Sequence, residues 1–325
     1  MKFSLDAEQR DFAASIDAAL GGADVPAAVR AWGEGDTAGG RAVWARLADL
    51  GVTALAVPER FDGLGAHPVD LVVACERLGR WCVPGPVTES IAVAPILLAD
   101  DERCAGLASG ELIATAALPP VVPQAVNADF ADLVLLAADG AVCDATAHAG
   151  HPSVDPTRRL FDVAAHGDSR AALVSDAYAM GVLATAAQLV GAGQAMLDMA
   201  VDYAKQRSQF GRLIGSYQAI KHKLADVHIA LELARPLVYG AALSVAAAAS
   251  TTARDVSAAK AAASDAALLA ARASLQTHGA IGYTAEHDLS QWLLRVQALH
   301  SAWGSPVHHR RRVAEEVCRE VSEES

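Results

Sequence analysis

The sequence predicts a mainly α-helical protein with a small β-rich middle section, and three observations carry that prediction. Apolar residues recur at helical spacing over residues 7–78. From residue 111 to about 170 the pattern changes to short apolar runs, at 113–118 and 133–136, punctuated by Pro119-Pro120, Pro123, Asp139-Gly140 and Pro152. Such runs read as strands and turns. Alanine-rich segments over 176–203, 218–249 and 253–277 then carry Leu, Val, Ile and Met at helical spacing, with Pro236 as their internal proline. They predict long helices of an antiparallel bundle. The domains expected are an N-terminal helical domain over 1–112, a reduced middle β-domain over 113–172 and a C-terminal helical bundle over 173–325.

Each element has a local reason. Asp6 stands where an N-cap belongs, and Gly21-Gly22 closes the helix that follows it. Short helices are expected at 27–32 and 42–50, the second ending at Gly51 in the place of a C-cap glycine. Residues 58–65 are dense in turn formers and read as a loop, before a helix over 68–78 that stops at Gly79. The middle section is near the lower size limit for an independent core, so it should lean on its neighbours. A charged last helix is expected over 306–321, with Arg310, Arg311 and Arg312 as a solvated face.

Composition bounds the function. The 325 residues are 53% hydrophobic and 20% charged, enough to bury a sizeable core, and with 5% aromatics that core must be aliphatic. Twenty-six Lys and Arg against 38 Asp and Glu leave a formal charge of -12, which argues against a nucleic-acid partner. The first residues run into Glu8, Arg10 and Asp11 without an apolar secretory stretch, so a cytoplasmic location is expected. The most apolar stretch, over 237–249, is mostly alanine and reads as a packed helix, so no membrane partner is expected. Cys75, Cys82, Cys104, Cys143 and Cys318 lack paired or zinc-type spacing and read as reduced thiols. His278, His287, His300, His308 and His309 also lack ligand spacing and read as polar surface or interface groups, with no metal expected. Ser305 has no nucleophile-elbow motif around it.

The segment over 203–218 is the most informative. Between two long helices it gathers Arg207, Gln209, Phe210 and Gln218. A guanidinium can grip two phosphate oxygens, an aromatic ring can stack on a base, and amides can orient polar edges. A helix-helix turn with polar surface residues is the competing reading.

The residues from Tyr203 to Gln218 resemble the acyl-CoA dehydrogenase signature Y-A-x-x-R-x-Q-F-G-x-x-I-x-x-x-Q, and Leu224-Ala225-Asp226 matches the L-A-D after it. A second family motif, Q-x-x-G-G-x-G-y-t-x-e, is matched from Gln276 to Glu286, with Ala280 replacing its second glycine. Trp44, Leu50-Gly51, Val57-Pro58-Glu59, Gly63-Leu64-Gly65 and the run from Glu76 to Arg80 follow the family's N-terminal order. The resemblance implies an N-terminal helical domain, a middle β-domain and a C-terminal four-helix bundle, assembled as a tetramer of dimers. It implies FAD, and removal of an α-proton and a β-hydride from an acyl-CoA thioester. It also implies that Arg207 holds the pyrophosphate of a neighbouring subunit's flavin, that Phe210 packs near its adenine, and that Gln218, Gln276 and Gly279 complete the pocket.

The departures from the pattern matter equally. Counting from Gln276, Trp303 occupies the family's base position, and indole cannot take a proton. The alternative base position falls at Tyr178-Ala179-Met180-Gly181, also without a carboxylate. The family's T-E-P-x-x-G-S-D loop has no counterpart in the short middle section, and Arg295 is offset from the family's arginine. The reading that follows is a base-lacking subunit of a heteromeric acyl-CoA dehydrogenase, similar to those of actinobacterial steroid catabolism. It would contribute half of a shared FAD site to a full-length partner in an α2β2 heterotetramer, with electron-transfer flavoprotein as acceptor. Two alternatives stand: a structural homologue without flavin, and an active homomer using an unrecognised carboxylate such as Glu286 or Glu89.

Overall fold

The computed structural model describes residues 4–323, with side chains described as far as Arg319. The N-terminal part comprises α1 (Ala7–Gly21), α2 (Val25–Gly33), α3 (Ala38–Asp49), α4 (Pro68–Arg80), a wide π-type turn over Thr88–Val93 running into α5 (Ala94–Leu97), and α6 (Cys104–Ser109). Asp6 accepts from the Gln9 backbone N–H at 2.8 Å while the Gln9 side chain accepts from the Asp6 N–H at 3.2 Å, so two of the helix's unpaired donors are satisfied reciprocally. Gly51, at φ 74°, turns the chain away after α3.

The middle section forms one five-stranded sheet from β1 (Ala114–Ala117), β2 (Ala125–Val126), β3 (Leu133–Ala138), β4 (Ala141–His151) and β5 (Leu160–Ala171), in the order β1-β3-β4-β5-β2. Only β1 and β3 are parallel. Asp139 and Gly140, at φ 50° and 77°, make the two-residue turn between β3 and β4, the geometry that matches strand twist. Ala117, Ala125 and Ala128 form a small core of their own under Phe161 and Val163, while most of the section's buried residues join the main core.

The C-terminal part comprises α7 (Val174–Gln206), a small hairpin of β6 (Ser208–Gln209) and β7 (Arg212–Leu213), α8 (Gln218–Ala246), α9 (Thr252–His278), α10 (Leu289–Ser301) and α11 (Pro306–Glu323). Helices α7 and α8 are long and apolar enough to cross a membrane by length and composition; the most apolar window of α7 is 94% buried within the fold and that of α8 33%. Helix α4 crosses α7 at backbone contact, where a Cβ on Gly191 would stand 1.8 Å from the Glu76 carbonyl oxygen. The buried Glu76 carboxylate accepts from Arg77, from Arg235 of α8 at 3.1 Å and from the Tyr239 hydroxyl at 3.1 Å, tying α4 to the bundle. Arg295 of α10 is fully enclosed and donates to Asp155 at 2.6 Å, to the Val83 carbonyl at 2.8 Å and to Thr157 at 2.8 Å. One side chain thus joins all three parts of the chain.

Some expectations need correction. Helix α10 was not anticipated, although Leu289, Trp292, Val296 and Leu299 lie buried at helical spacing. The middle section holds β4 and β5, its two longest strands, besides the two short runs expected. His278 and His309 are core residues, not surface groups. Burial is tolerable because each keeps a partner: His278 Nδ1 lies 2.8 Å from the Ser274 carbonyl and His309 Nε2 lies 2.9 Å from that of Trp303.

Candidate functional site

The residues singled out from the sequence fall into two places. The first is the end of the bundle where α7 stops, α8 starts and α9 stops. Tyr203, in the last turn of α7, stacks on His278 at a ring separation of 4.5 Å, and Lys223 of α8 donates to the Gln276 amide oxygen. These contacts bring the 203–218 segment and the Gln276 turn to one surface. Arg207, Gln209, Phe210, Gln218, Gln276 and Gly279 are all exposed there.

The hairpin displays its groups instead of packing them. Phe210, at φ 52°, is 93% exposed. Its neighbour Arg212 lies over the Tyr217 ring at 3.8 Å, and the Tyr217 hydroxyl donates to the Gln209 carbonyl at 3.2 Å, which holds the hairpin in shape. The Arg207 backbone pairs with Tyr203 and Ile214, whereas its guanidinium has no hydrogen bond or ion pair among the described residues. Around Gly279, at φ 67°, no atom lies within 4 Å of where a Cβ would stand. A free guanidinium, a bare aromatic face and open backbone form a surface suited to an anionic, base-bearing ligand.

The second place lies where the three parts of the chain meet. Trp303, at φ 59°, is buried, and its indole fits against Gly181, where a Cβ would stand 2.4 Å from the ring. The two positions that the resemblance aligns with the family's base, Trp303 and the 178–181 stretch, are therefore in contact. Tyr178 donates to the Trp303 carbonyl at 3.2 Å. The buried Lys260 ammonium lies 3.1 Å from the Leu299 carbonyl oxygen and 3.2 Å from that of Gly304, so it holds the end of α10 and the turn that presents Trp303. Burial pushes Lys260 down to about 7.

The Trp303 N–H donates to Glu89 at 3.0 Å, and the same carboxylate oxygen lies 3.9 Å from Arg158. All three line a cavity of about 370 Å³ whose other walls include Val122, Val126 and Leu160. Glu89, on the π-type turn, was weighed from the sequence only as an unrecognised carboxylate; the structure sets it against Trp303. Glu286 is exposed and borders a different hollow, beside Arg30 and Pro156. Arg158, Arg295 and Lys260 were missed as structural or site residues. No motif marks Arg158 or Lys260: the Glu89 carboxylate beside Arg158 and the Leu299 carbonyl on Lys260 come from 69 and 39 positions away.

Along α7 the two places are about 37 Å apart, from the rise of 1.5 Å per residue between Gly181 and Gln206. One small ligand does not reach both within a chain. Among the described residues no group of three or more His, Cys, Asp or Glu could hold a metal ion.

Comparison with known proteins follows the same lines. The sequence matches the family models "Acyl-CoA dehydrogenase, N-terminal domain" over residues 6–102 and "Acyl-CoA dehydrogenase, C-terminal domain" over residues 172–318. It is 33% identical over 299 residues to Acyl-CoA dehydrogenase IpdE2 of Mycobacterium tuberculosis, covering 90% of this chain and 92% of that protein. Its fold is similar to a chain of the ChsE4-ChsE5 complex from Mycobacterium tuberculosis, with a TM-score of 0.84, 21% identity and coverage of 98% and 99% of the two chains. It is equally similar to the Tcur3481-Tcur3483 steroid acyl-CoA dehydrogenase, with a TM-score of 0.86, 19% identity and coverage of 97% and 99%.

Proposed function

The chain belongs to the acyl-CoA dehydrogenase family, and from that premise we propose that it is the base-lacking subunit of a heteromeric, FAD-dependent enzyme that dehydrogenates an acyl-CoA thioester. The observation that carries this reading is the exposed, unpartnered Arg207 and Phe210 surface, about 37 Å along α7 from the chain's own domain junction. Groups so placed serve a ligand held mainly by another chain. The donor set fits the adenosine diphosphate half of FAD: Arg207 would hold the pyrophosphate, Phe210 would cover the adenine, and Gln209, Gln218, Gln276 and Gly279 would border it.

A bound FAD supplies the acceptor for the β-hydride. The α-proton needs a base at hydrogen-bond distance, and Trp303 at the family position provides none, so in this reading the base belongs to the partner. Further support comes from α8, whose Ile229, Leu233 and Leu237 expose apolar side chains along one face, as a surface covered in an assembly would. The partner is a full-length acyl-CoA dehydrogenase subunit in an α2β2 arrangement, the acceptor an electron-transfer flavoprotein, and the location cytoplasmic. A polycyclic, steroid-derived acyl-CoA is the substrate class, a reading supported by the similarity to a steroid acyl-CoA dehydrogenase.

One observation favours a second reading, an active homomer: the Glu89 carboxylate reaches the base position by bonding Trp303. Purification of the chain alone and co-expressed with a full-length family member separates the two. A flavin-free lone chain and a heteromer with about one flavin per two chains is the expected result, because a ligand that needs both chains saturates only the complex. A lone chain that holds one flavin each and oxidises acyl-CoA would overturn the proposal and make Glu89 the base to test.

A further inference from the structure

We infer that Lys260 is a positioning residue that acts as a proton-operated latch: its ammonium holds the turn at 302–305 against the end of α10, and release of one proton frees that turn and the Trp303 indole seated on it. The first observation is a count of donors. Lys260 is fully buried, and its Nζ lies 3.1 Å from the Leu299 carbonyl oxygen, 3.3 Å from that of His300, 3.2 Å from that of Gly304 and 3.2 Å from the Ser264 hydroxyl. No carboxylate is among these partners, and no backbone N–H of a described residue outside the helix reaches the three carbonyls. An ammonium has three N–H groups and no acceptor, so the charged form serves each carbonyl once. The neutral amine has two N–H groups and a lone pair, which leaves one buried carbonyl bare, and a bare buried carbonyl is costly. Leu299 and His300 are fixed in the last turn of α10, so Gly304 carries the carbonyl that can move away.

The second observation is that the turn is strained and is kept in shape from outside. Trp303 and Gly304 stand in succession at φ 59° and 102°. A bulky side chain persists in the left-handed region only where its surroundings impose it. His309 Nε2 lies 2.9 Å from the Trp303 carbonyl oxygen and the Tyr178 hydroxyl donates to the same atom at 3.2 Å, while Lys260 takes the next carbonyl along. Released, the turn withdraws the indole from Gly181 and leaves Glu89 without its Trp303 donor. The titratable groups nearby come from three helices: His300 on α10, His308 and His309 on α11, and Tyr178 on α7. Burial holds the three histidines below their ordinary 6.5 and Tyr178 above 10, so all four are neutral at neutral pH. Arg272, Arg310 and Arg312 stay charged, and Asp265 is paired with Arg310. Burial brings Lys260 alone among them to about 7. The latch needs neither flavin nor a second chain.

Fluorine NMR of the full chain labelled with fluorotryptophan tests the latch, the Trp303 resonance being assigned with Trp303→Phe. Between about pH 6 and 9 that resonance should move with a midpoint at about 7, while those of Trp32, Trp44, Trp81 and Trp292 stay in place. Over the same range, hydrogen exchange of the 302–309 peptide, corrected for its intrinsic pH dependence, should lose about tenfold or more in protection, for one lost bond to a charged group. Lys260→Arg, which stays charged and keeps its donors, should hold the low-pH resonance throughout. Lys260→Met should show the high-pH resonance and weak protection throughout. A Trp303 resonance that does not titrate, a shift without loss of protection, or a titration that persists in either variant would each overturn the inference. The first two are read on the unaltered chain and do not depend on a variant folding. None of these results bears on flavin sharing.

Discussion

His309 illustrates how much a single enclosed side chain responds to its surroundings. It is fully buried beside Lys260, His308 and Arg312, with the Trp303 carbonyl as its hydrogen-bond acceptor, and desolvation pushes it down to about 3. The unfolded chain takes up this proton near pH 6.5, the folded chain only near pH 3, so between those values the unfolded state binds more protons and stability falls as the pH falls. The loss is about 1.4 kcal/mol per pH unit, or roughly 2 kcal/mol at about pH 5. His278, His300 and His308 are lowered too, with burial first among the causes, and add in the same direction. Urea unfolding at neutral pH and near pH 5 should show this slope, and His309→Gln should lower stability at neutral pH while flattening part of the slope. An unaltered slope would mean that His309 does not titrate on unfolding.

At the same scale, legibility followed locality. The Asp6 cap and the Gly51 turn could be read because their partners lie within a few residues. The Glu89 environment could not, since Trp303 is 214 positions away in the chain and Arg158 comes from another strand connection.

Among the elements, the α4 and α7 crossing constrains the fold most tightly. Gly191→Ala would place a methyl carbon 1.8 Å from the Glu76 carbonyl oxygen, which only a backbone shift can relieve. Overpacking of this kind costs about 1–3 kcal/mol, and here it also strains the Glu76 bonds to Arg235 and Tyr239 that join α4 to α8. A lowered melting temperature with helical content retained below the transition is expected by circular dichroism. An unchanged melting temperature would mean the helices are farther apart than described. The long helices were legible because alanine-rich periodicity repeats over many turns. Strands β4 and β5 were not, since much of β5 and the outer half of β4 are exposed or half-buried, and a strand without a buried face shows no alternation to read.

For the whole molecule, the decisive property is that the Arg207 surface faces outward. Arg207→Ala removes an exposed guanidinium with no described partner, so the isolated chain should melt as before. In the proposed heteromer the same change should lower flavin retained per complex after gel filtration, by roughly tenfold in affinity for a lost charge-assisted phosphate contact. Full flavin retention would remove Arg207 from the cofactor surface. The outcome is readable apart from stability because the residue lies remote from the Arg295 junction that locks the three parts together.

What the sequence by itself determined was written in short-range pattern: the long helices of the bundle, the presence of a small β section, and the two motifs at Arg207 and Gln276. Periodicity and motif spacing are properties of neighbouring residues, and they survive without knowledge of the fold. Only the tertiary structure decided that both motifs share one end of the bundle, that this end points away from the chain's own domain junction, and that Glu89 and Arg158 meet Trp303 around a cavity. Those relations depend on helices folding back over tens of residues and on the burial of charge, which is set by every surrounding element at once.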